Sequence, residues 1–255
     1  STLINKVKNA IRVPECYAIF RDESDKECKE FCLILEDFDI ENWMPFDQFE
    51  NPMDFEDTVM LMKDLGAFHA ACWNEPISSE AGLGPYKAHW QSLNDSFWEE
   101  ETTAWDQVLP KWKEVYNEDL LSLVDPETQE TILKINEIYN SKNAELIQEK
   151  LIEELQNRPR TITHGDARGN NIFKSNDGKT IGIIDWQMWA AGPASNEFSQ
   201  LWFNSYSLDS GMIHRLEELT EIYYDSLTAN NADIKASYPF YQLFDDTKLI
   251  FINMW

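Results

Sequence analysis

Between residues 161 and 185 three short β-forming runs are separated by two loops rich in Gly, Asn and Asp, and this segment restricts the fold more than any other. Thr161 to Thr163, Ile172 to Lys174 and Thr180 to Ile184 are branched, apolar-rich runs that suit short strands. The loop His164-Gly165-Asp166-Ala167-Arg168-Gly169-Asn170-Asn171 fills the first gap, and the turn Asn176-Asp177-Gly178 fills the second. The last two runs therefore read as a β-hairpin. A hairpin returns both ends to one edge, so Asn171 and Asp185, 14 positions apart, are expected side by side.

Helical patterns flank this segment. Phe55, Val59, Met62, Gly66, His69 and Trp73 recur every three to four residues behind a capping residue, Asp54. Residues 86 to 157 carry further helical segments with breaks at Pro110 and Asp125-Pro126, and Trp90, Trp98, Trp105 and Trp112 mark apolar faces. Beyond Gly192-Pro193, the stretches Glu197 to Tyr206, Met212 to Leu227 and Tyr238 to Trp255 read as helices. At the front, a helix tail over residues 1 to 10 precedes a hairpin. Its strands are Tyr17 to Phe20 and Phe31 to Leu35, joined by a charged turn from Asp22 to Lys29, and it ends in Glu36-Asp37-Phe38 and a polar connection.

Composition narrows the partners. With 46 acidic against 21 basic side chains and a net charge of -25, the chain is poorly suited to grip phosphate-rich polymers or anionic membranes, so no nucleic acid and no membrane partner is expected. A hydrophobic share of 43% is enough for a packed core, and no apolar run approaches the ~20 residues of a membrane span. Cys16, Cys28, Cys32 and Cys72 form no CxxC pair and have no His at zinc-ligand spacing, which suggests thiols in a reducing, cytoplasmic setting.

The residues of the central loops suit phosphoryl transfer, which needs a carboxylate to take the proton of an attacking hydroxyl, oxygen ligands for magnesium, and cations near the phosphates. Asp166 can serve as that carboxylate, and Asn171 and Asp185 are the oxygen ligands magnesium prefers. Turn chemistry alone also concentrates Gly, Asn and Asp in loops.

The loop from His164 to Asn171, followed by Ile183-Ile184-Asp185-Trp186, resembles the catalytic and metal-binding loops of aminoglycoside phosphotransferases, choline kinases and ecdysteroid kinase-like proteins. Leu33 to Phe38 resembles the strand and interlobe hinge of that superfamily, and Leu65 to Trp73 resembles one of its helices, so the likeness runs from about Val13 to Leu201. The resemblance implies an α+β, bilobal protein-kinase-like fold. Residues 1–38 would be a remnant of the N-lobe ending in the hinge strand, and residues 39–255 a mainly helical C-lobe with the catalytic and metal loops.

It further implies that Asp166 is the catalytic base and that Asn171 and Asp185 hold Mg. The hinge backbone at Glu36 and Phe38 would pair with the adenine of ATP, over an apolar floor of Phe173 and Ile184. Arg168 would either meet the transferred phosphate or stand as a solvated or salt-bridged arginine, and His164 and His69 would be structural. Trp186, Trp189 and Trp202 would be either a cage for a cationic, small hydroxylated substrate or core packing.

Two departures stand out. Glu197 occupies the place of an Asp in these relatives, which keeps a helix-start role. No Gly-rich loop, strand-borne Lys or partner Glu precedes the hinge, and the apolar run Leu249 to Trp255 lacks a stop signal. These 255 residues are therefore expected to be part of a longer chain and to turn over little ATP alone. The alternative is a non-catalytic kinase-like subunit that binds or assembles with other proteins.

Overall fold

A computed structural model describes residues 3–21, 31–75, 157–207 and 210–254, together with Pro126, Glu130, Lys134, Lys150 and residues 153–155. The chain divides into two compact units, one formed by Ser1–Tyr86 with Arg158–Trp255 and the other by Lys87–Asn157. In the second unit Pro126, Glu130, Lys134 and Lys150 are helical, and Lys134 pairs with Glu130 one turn away at 2.7 Å. Pro110 and the tryptophans from Trp90 to Trp112 lie outside the described residues, as does the turn expected from Asp22 to Lys29.

The first unit opens with α1 (Leu3–Ala10), then β1 (Cys16–Arg21) and β2 (Phe31–Leu35), an antiparallel pair with Ile19 opposite Leu33. Tyr17, Ile19, Phe20 and Phe31 of this ribbon are each more than half exposed. The polar connection that follows contains β3 (Trp43–Pro45), which pairs antiparallel with Phe173 to Ser175. Three residues ending in Pro carry too little pattern for a strand to be read from sequence.

Helix α2 (Phe55–Ala71) starts where its cap predicts, because the Asp54 carboxylate accepts the Asp57 N–H at 2.8 Å. Leu61, Met62, Leu65 and Phe68 on its inner face are fully buried. It packs along α4 (Leu216–Asn230), and Gly66 allows the close approach, since a Cβ there would stand 2.6 Å from the Tyr223 carbonyl oxygen. The stretch read as one helix from Met212 begins as a 3₁₀ turn and becomes α-helical only at Leu216.

After β4 (Thr161–Thr163) come β5 (Ile172–Ser175) and β6 (Ile181–Ile183), the expected hairpin, with Ile172 opposite Ile183. Strand β7 (Ala190–Gly192) pairs with β4; its Ala-Ala-Gly sequence has no branched residue to announce it. Helices α3 (Glu197–Asn204), α5 (Ile234–Ser237) and α6 (Phe240–Met254) complete the unit. Ile172, Ile181 and Ile183 meet Phe68, Phe198 and Tyr223 in one buried core, so the hairpin is seated on the helices. No helix among the described residues is long and apolar enough to cross a membrane.

Candidate active site

The loop between β4 and β5 is shaped by one buried acid and one buried imidazole. Gly165 takes a left-handed conformation (φ +84°) that a side chain would strain, and a Cβ there would also collide with the Met188 carbonyl. The N–H groups of His164 and Gly165 both donate to Oε1 of Glu197 on α3, the latter at 3.2 Å. His164 Nδ1 accepts the Asp166 N–H at 3.2 Å, so Nε2 carries the proton and donates to the Ile184 carbonyl at 2.8 Å. Burial lowers the His164 pKa, against the opposing fields of Asp166 and Asp185, and keeps the ring neutral. The imidazole thus joins the loop to the strand end that leads into Asp185.

Asp166 and Asn171 are in direct contact. Asn171 Nδ2 donates to Oδ2 and to the carbonyl of Asp166, each at 2.9 Å. With its amide nitrogen turned to Asp166, Asn171 has only Oδ1 left that could serve as an oxygen ligand. Arg168 Nε lies 3.4 Å from Asp166 Oδ2, with 44% of the arginine side chain exposed. The guanidinium thus stands beside the candidate base.

The Ile184 N–H donates to the Asn171 carbonyl at 3.0 Å, so the hairpin register puts Asp185 beside the Asn171 end of the loop, as the spacing predicts. Asp185 is exposed and left-handed (φ 61°, ψ 65°), and Gln187 Nε2 touches its Oδ2 at a long 3.4 Å. No group of three His, Cys, Asp or Glu residues is placed to hold a metal among the described residues. An amide oxygen and one exposed carboxylate nevertheless suit magnesium, which commonly takes one or two protein oxygens and fills its shell with water and substrate phosphates.

The expected adenine side of the site is built around Arg12, which sequence reading missed. Phe38 is buried, stacked on Trp43 (centroids 4.3 Å, planes 12° apart) and edge-on to Phe173 at 5.5 Å. Its ring occupies the space over Gly182, where a Cβ would stand 2.5 Å from it. Arg12 lies over Phe38 and Trp43, at 5.1 and 5.7 Å, and is ion-paired with Glu36. That pairing holds the Glu36 carboxyl below its usual pKa. The Arg12 carbonyl accepts the Ile183 N–H at 2.9 Å, which ties the segment before β1 to β6. The Glu36 N–H is committed to the Glu15 carbonyl at 2.7 Å, so at that residue only the carbonyl is in play for a ligand. Ile184 is half-buried, and the contacts that define it run through its backbone.

The three tryptophans do not share one role. Trp202 is buried against Phe198 and Tyr206, and Trp186 packs edge-on to His164 at 4.7 Å and Phe68 at 5.4 Å. Core packing accounts for both, and of the three Trp189 alone is exposed.

Glu197 is more than the helix-start residue the sequence suggests. Its side chain is fully buried, and desolvation pushes its carboxyl up to about 7 against the two backbone N–H bonds it accepts. On its other side stands His69, buried, held by Tyr223 at 2.6 Å through Nδ1. The sequence marks His69 as structural but gives no sign that α2, α3 and α4 meet at these three groups.

The profile of the ecdysteroid kinase-like family matches residues 2–236. Among solved structures, the choline kinase of Cryptosporidium parvum Iowa II is 15% identical with a TM-score of 0.52, the match covering 98% of this chain and 67% of that one. The ethanolamine kinase of Plasmodium vivax is 14% identical with a TM-score of 0.43, over 97% of this chain and 60% of that one. An ADP-bound aminoglycoside phosphotransferase is 14% identical with a TM-score of 0.40, over 99% of this chain and 80% of that one. The chain thus spans 60% of the ethanolamine kinase's length. No curated protein sequence matches it. The likeness to the choline kinase shows the fold, the α+β protein-kinase-like one expected from the motifs.

Proposed function

The chain belongs to the ecdysteroid kinase-like family, and from its site we propose that it serves an ATP- and Mg-dependent kinase that phosphorylates a hydroxyl of a small molecule. The observation that carries this reading is the contact of Asn171 Nδ2 with Asp166 Oδ2 at 2.9 Å, in a loop whose far end is hydrogen-bonded to the residue preceding Asp185. Asp166 and Asn171, suited to a base and a metal ligand, touch each other, and Asp185, suited to a second ligand, follows the strand end bonded to Asn171, an arrangement for which packing alone has no use.

In this reading residues 1–38 finish the smaller lobe and residues 39–255 form the larger one. Asp166 is partly exposed, and its carboxylate accepts the proton of the acceptor hydroxyl as that oxygen attacks. Asn171 holds Asp166 in place through Nδ2 and would offer Oδ1 to magnesium, for which Asp185 would supply the carboxylate ligand. Magnesium bound there would neutralise charge on the phosphates. Arg168, paired with Asp166, is long enough to swing toward the transferred group. Phe173 and Ile184 form the apolar floor on which adenine would rest, with the Glu36 carbonyl and the Phe38 backbone at the hinge. The acceptor is a small hydroxylated compound, and the acidic surface suits a cationic one. Cys16, Cys32 and Cys72 are free thiols, consistent with the cytoplasm.

Asp166→Asn and Asp185→Ala test the assignment in the complete protein. Asp166→Asn is expected to leave Mg-ATP affinity within about threefold and to cut the single-turnover rate by about 10²-fold or more. Asp185→Ala is expected to weaken the magnesium dependence of ATP binding as well. Phosphoryl transfer at the wild-type rate in both variants would refute the mechanism.

The second reading is a non-catalytic kinase-like subunit. Failure of the complete protein to bind Mg-ATP would select it.

A further inference from the structure

A chain of three buried side chains leads from the helical core to the loop that carries Asp166. Tyr223 on α4 is fully buried, and burial together with the charge of Glu197 raises its pKa well above the usual range, so its hydroxyl stays protonated. That hydroxyl lies 2.6 Å from His69 Nδ1. His69 is likewise fully buried, and desolvation lowers its pKa to about 3, so the ring is neutral with one N–H.

The position of that proton follows from the surroundings. His69 Nε2 has no hydrogen-bond partner among the described residues and stands 3.9 Å from Glu197 Oε1. A lone pair aimed at a carboxylate is unfavourable, whereas an N–H aimed at it is attracted, and at low dielectric the difference is large. Tyr223 therefore donates to Nδ1, and Nε2 presents its hydrogen to Glu197. The gap is too long for a direct hydrogen bond, so the interaction is one of dipole with charge. Glu197 Oε1 in turn accepts the N–H groups of His164 and Gly165.

Resting on the kinase reading above, we infer that His69 and Tyr223 are positioning residues: they favour Glu197 as an acceptor, Glu197 holds the His164–Gly165 backbone, and that backbone aims Asp166. None of the three touches a reacting atom. Their contribution would be to fix the start of the loop at Gly165, whose backbone takes φ +84°, beside the contacts that His164 and Asn171 make further along it. A displacement of the base by about an ångström is enough to cost on the order of 10²-fold in rate.

The alternative to this role is packing, since His69 and Tyr223 are edge-on at 5.6 Å and Phe198 meets Tyr223 at 5.0 Å. Tyr223→Phe separates the two roles, because it keeps the rings in contact and removes only the hydroxyl. Amide hydrogen exchange is measured by NMR on the complete protein, for wild type, Tyr223→Phe and His69→Gln. Both variants are expected to speed exchange at His164 and Gly165 by about tenfold, the scale of one weakened charge-assisted hydrogen bond, while Ile183 and Lys174 in the hairpin keep wild-type rates.

Kinetic assays on the same proteins should show kcat lowered by about tenfold or more with KM for ATP within about twofold, as expected when the base is misplaced and nucleotide contacts are kept. Unchanged exchange at His164 and Gly165 in Tyr223→Phe overturns the inference. So does a uniform acceleration across all amides, which would mark a packing role. Exchange changes as expected in a protein that transfers no phosphate would leave the clamp standing and remove the kinase reading instead.

Discussion

Replacing Gly165 by Ala tests how firmly the loop is fixed, and two other glycines supply the controls. At Gly211 the backbone is also left-handed (φ +68°), but a Cβ would meet nothing within 4 Å, so Gly211→Ala costs conformational strain alone, about 1–2 kcal/mol. At Gly66 the backbone is helical, and a Cβ would stand 2.6 Å from the Tyr223 carbonyl oxygen and 2.8 Å from Ser226 Cβ. Gly66→Ala therefore costs an overpacking term of about 1–3 kcal/mol, less about 1 kcal/mol regained in helix propensity. Gly165→Ala combines both penalties, since φ is +84° and the added carbon would overlap the Met188 carbonyl, a backbone group that cannot rotate aside.

The sum for Gly165→Ala is about 2–5 kcal/mol. At about 2–4 °C per kcal/mol for a domain of this size, melting should fall by about 10 °C for Gly165→Ala and by about 4 °C for Gly211→Ala. Thermal melts of the three variants, with urea titrations to check that the m-value is constant, measure this directly. If Gly165→Ala melts no lower than Gly211→Ala, the Met188 segment yields freely and the loop is not held as described. The inference that Glu197 fixes it would then lose its basis.

Asp246 on α6 is fully buried and accepts Arg158 Nε with both oxygens, at 2.9 and 3.0 Å, and the Tyr238 hydroxyl at 2.6 Å. Asp246→Ala should destabilise by about 3–5 kcal/mol and Tyr238→Phe by about 1–2 kcal/mol, with a chemical-denaturation cycle showing the two to be non-additive. Strict additivity would contradict a shared network. The Glu197 carboxyl, raised from 4.5 to about 7 in the folded state, lends stability that is complete below pH 4.5 and lost as pH climbs through 7. His69, Tyr223 and Asp166 face it, and His69, lowered to about 3, acts in the opposite sense, its contribution being lost only as pH falls from 6.5 toward 3. Between pH 6.5 and 8 the acid dominates, so wild type should lose about 0.8 kcal/mol of stability relative to Glu197→Gln over that window. Parallel pH-stability curves would show that Glu197 does not titrate there.

The parts of the fold legible in the sequence are those where a local cause acts within a few residues. Asp54 caps α2 three residues from the N–H it accepts, and Asn176-Asp177-Gly178 closes the β5–β6 hairpin with Gly178 at φ +73°. That hairpin alone sets Asn171 and Asp185 at one edge, which is why the candidate metal pair could be read without coordinates. Strands β3 and β7 were not legible, because Trp43-Met44-Pro45 and Ala190-Ala191-Gly192 have neither length nor alternation. They are strands because β5 and β4 offer free edges, a tertiary cause acting across more than a hundred residues in the case of β3.

The same distinction separates the groups proposed to react from those that hold them. Asp166, Arg168, Asn171 and Asp185 lie within one loop and one hairpin, so chemistry constrains their spacing and a motif results. Their supports come from afar. Glu197 reaches back 33 positions to His164, Tyr223 meets His69 across 154, and the Arg12 carbonyl accepts from Ile183. Each of these contacts is made by a buried or backbone group whose partner is set by how helices and strands stack, and the side chain's identity is constrained only once the stacking is known. Such residues leave no spacing rule in the sequence. A site of this kind can keep a complete motif while losing its geometry, and a variant such as Tyr223→Phe, which touches no motif residue, is the sharper probe of whether the geometry matters.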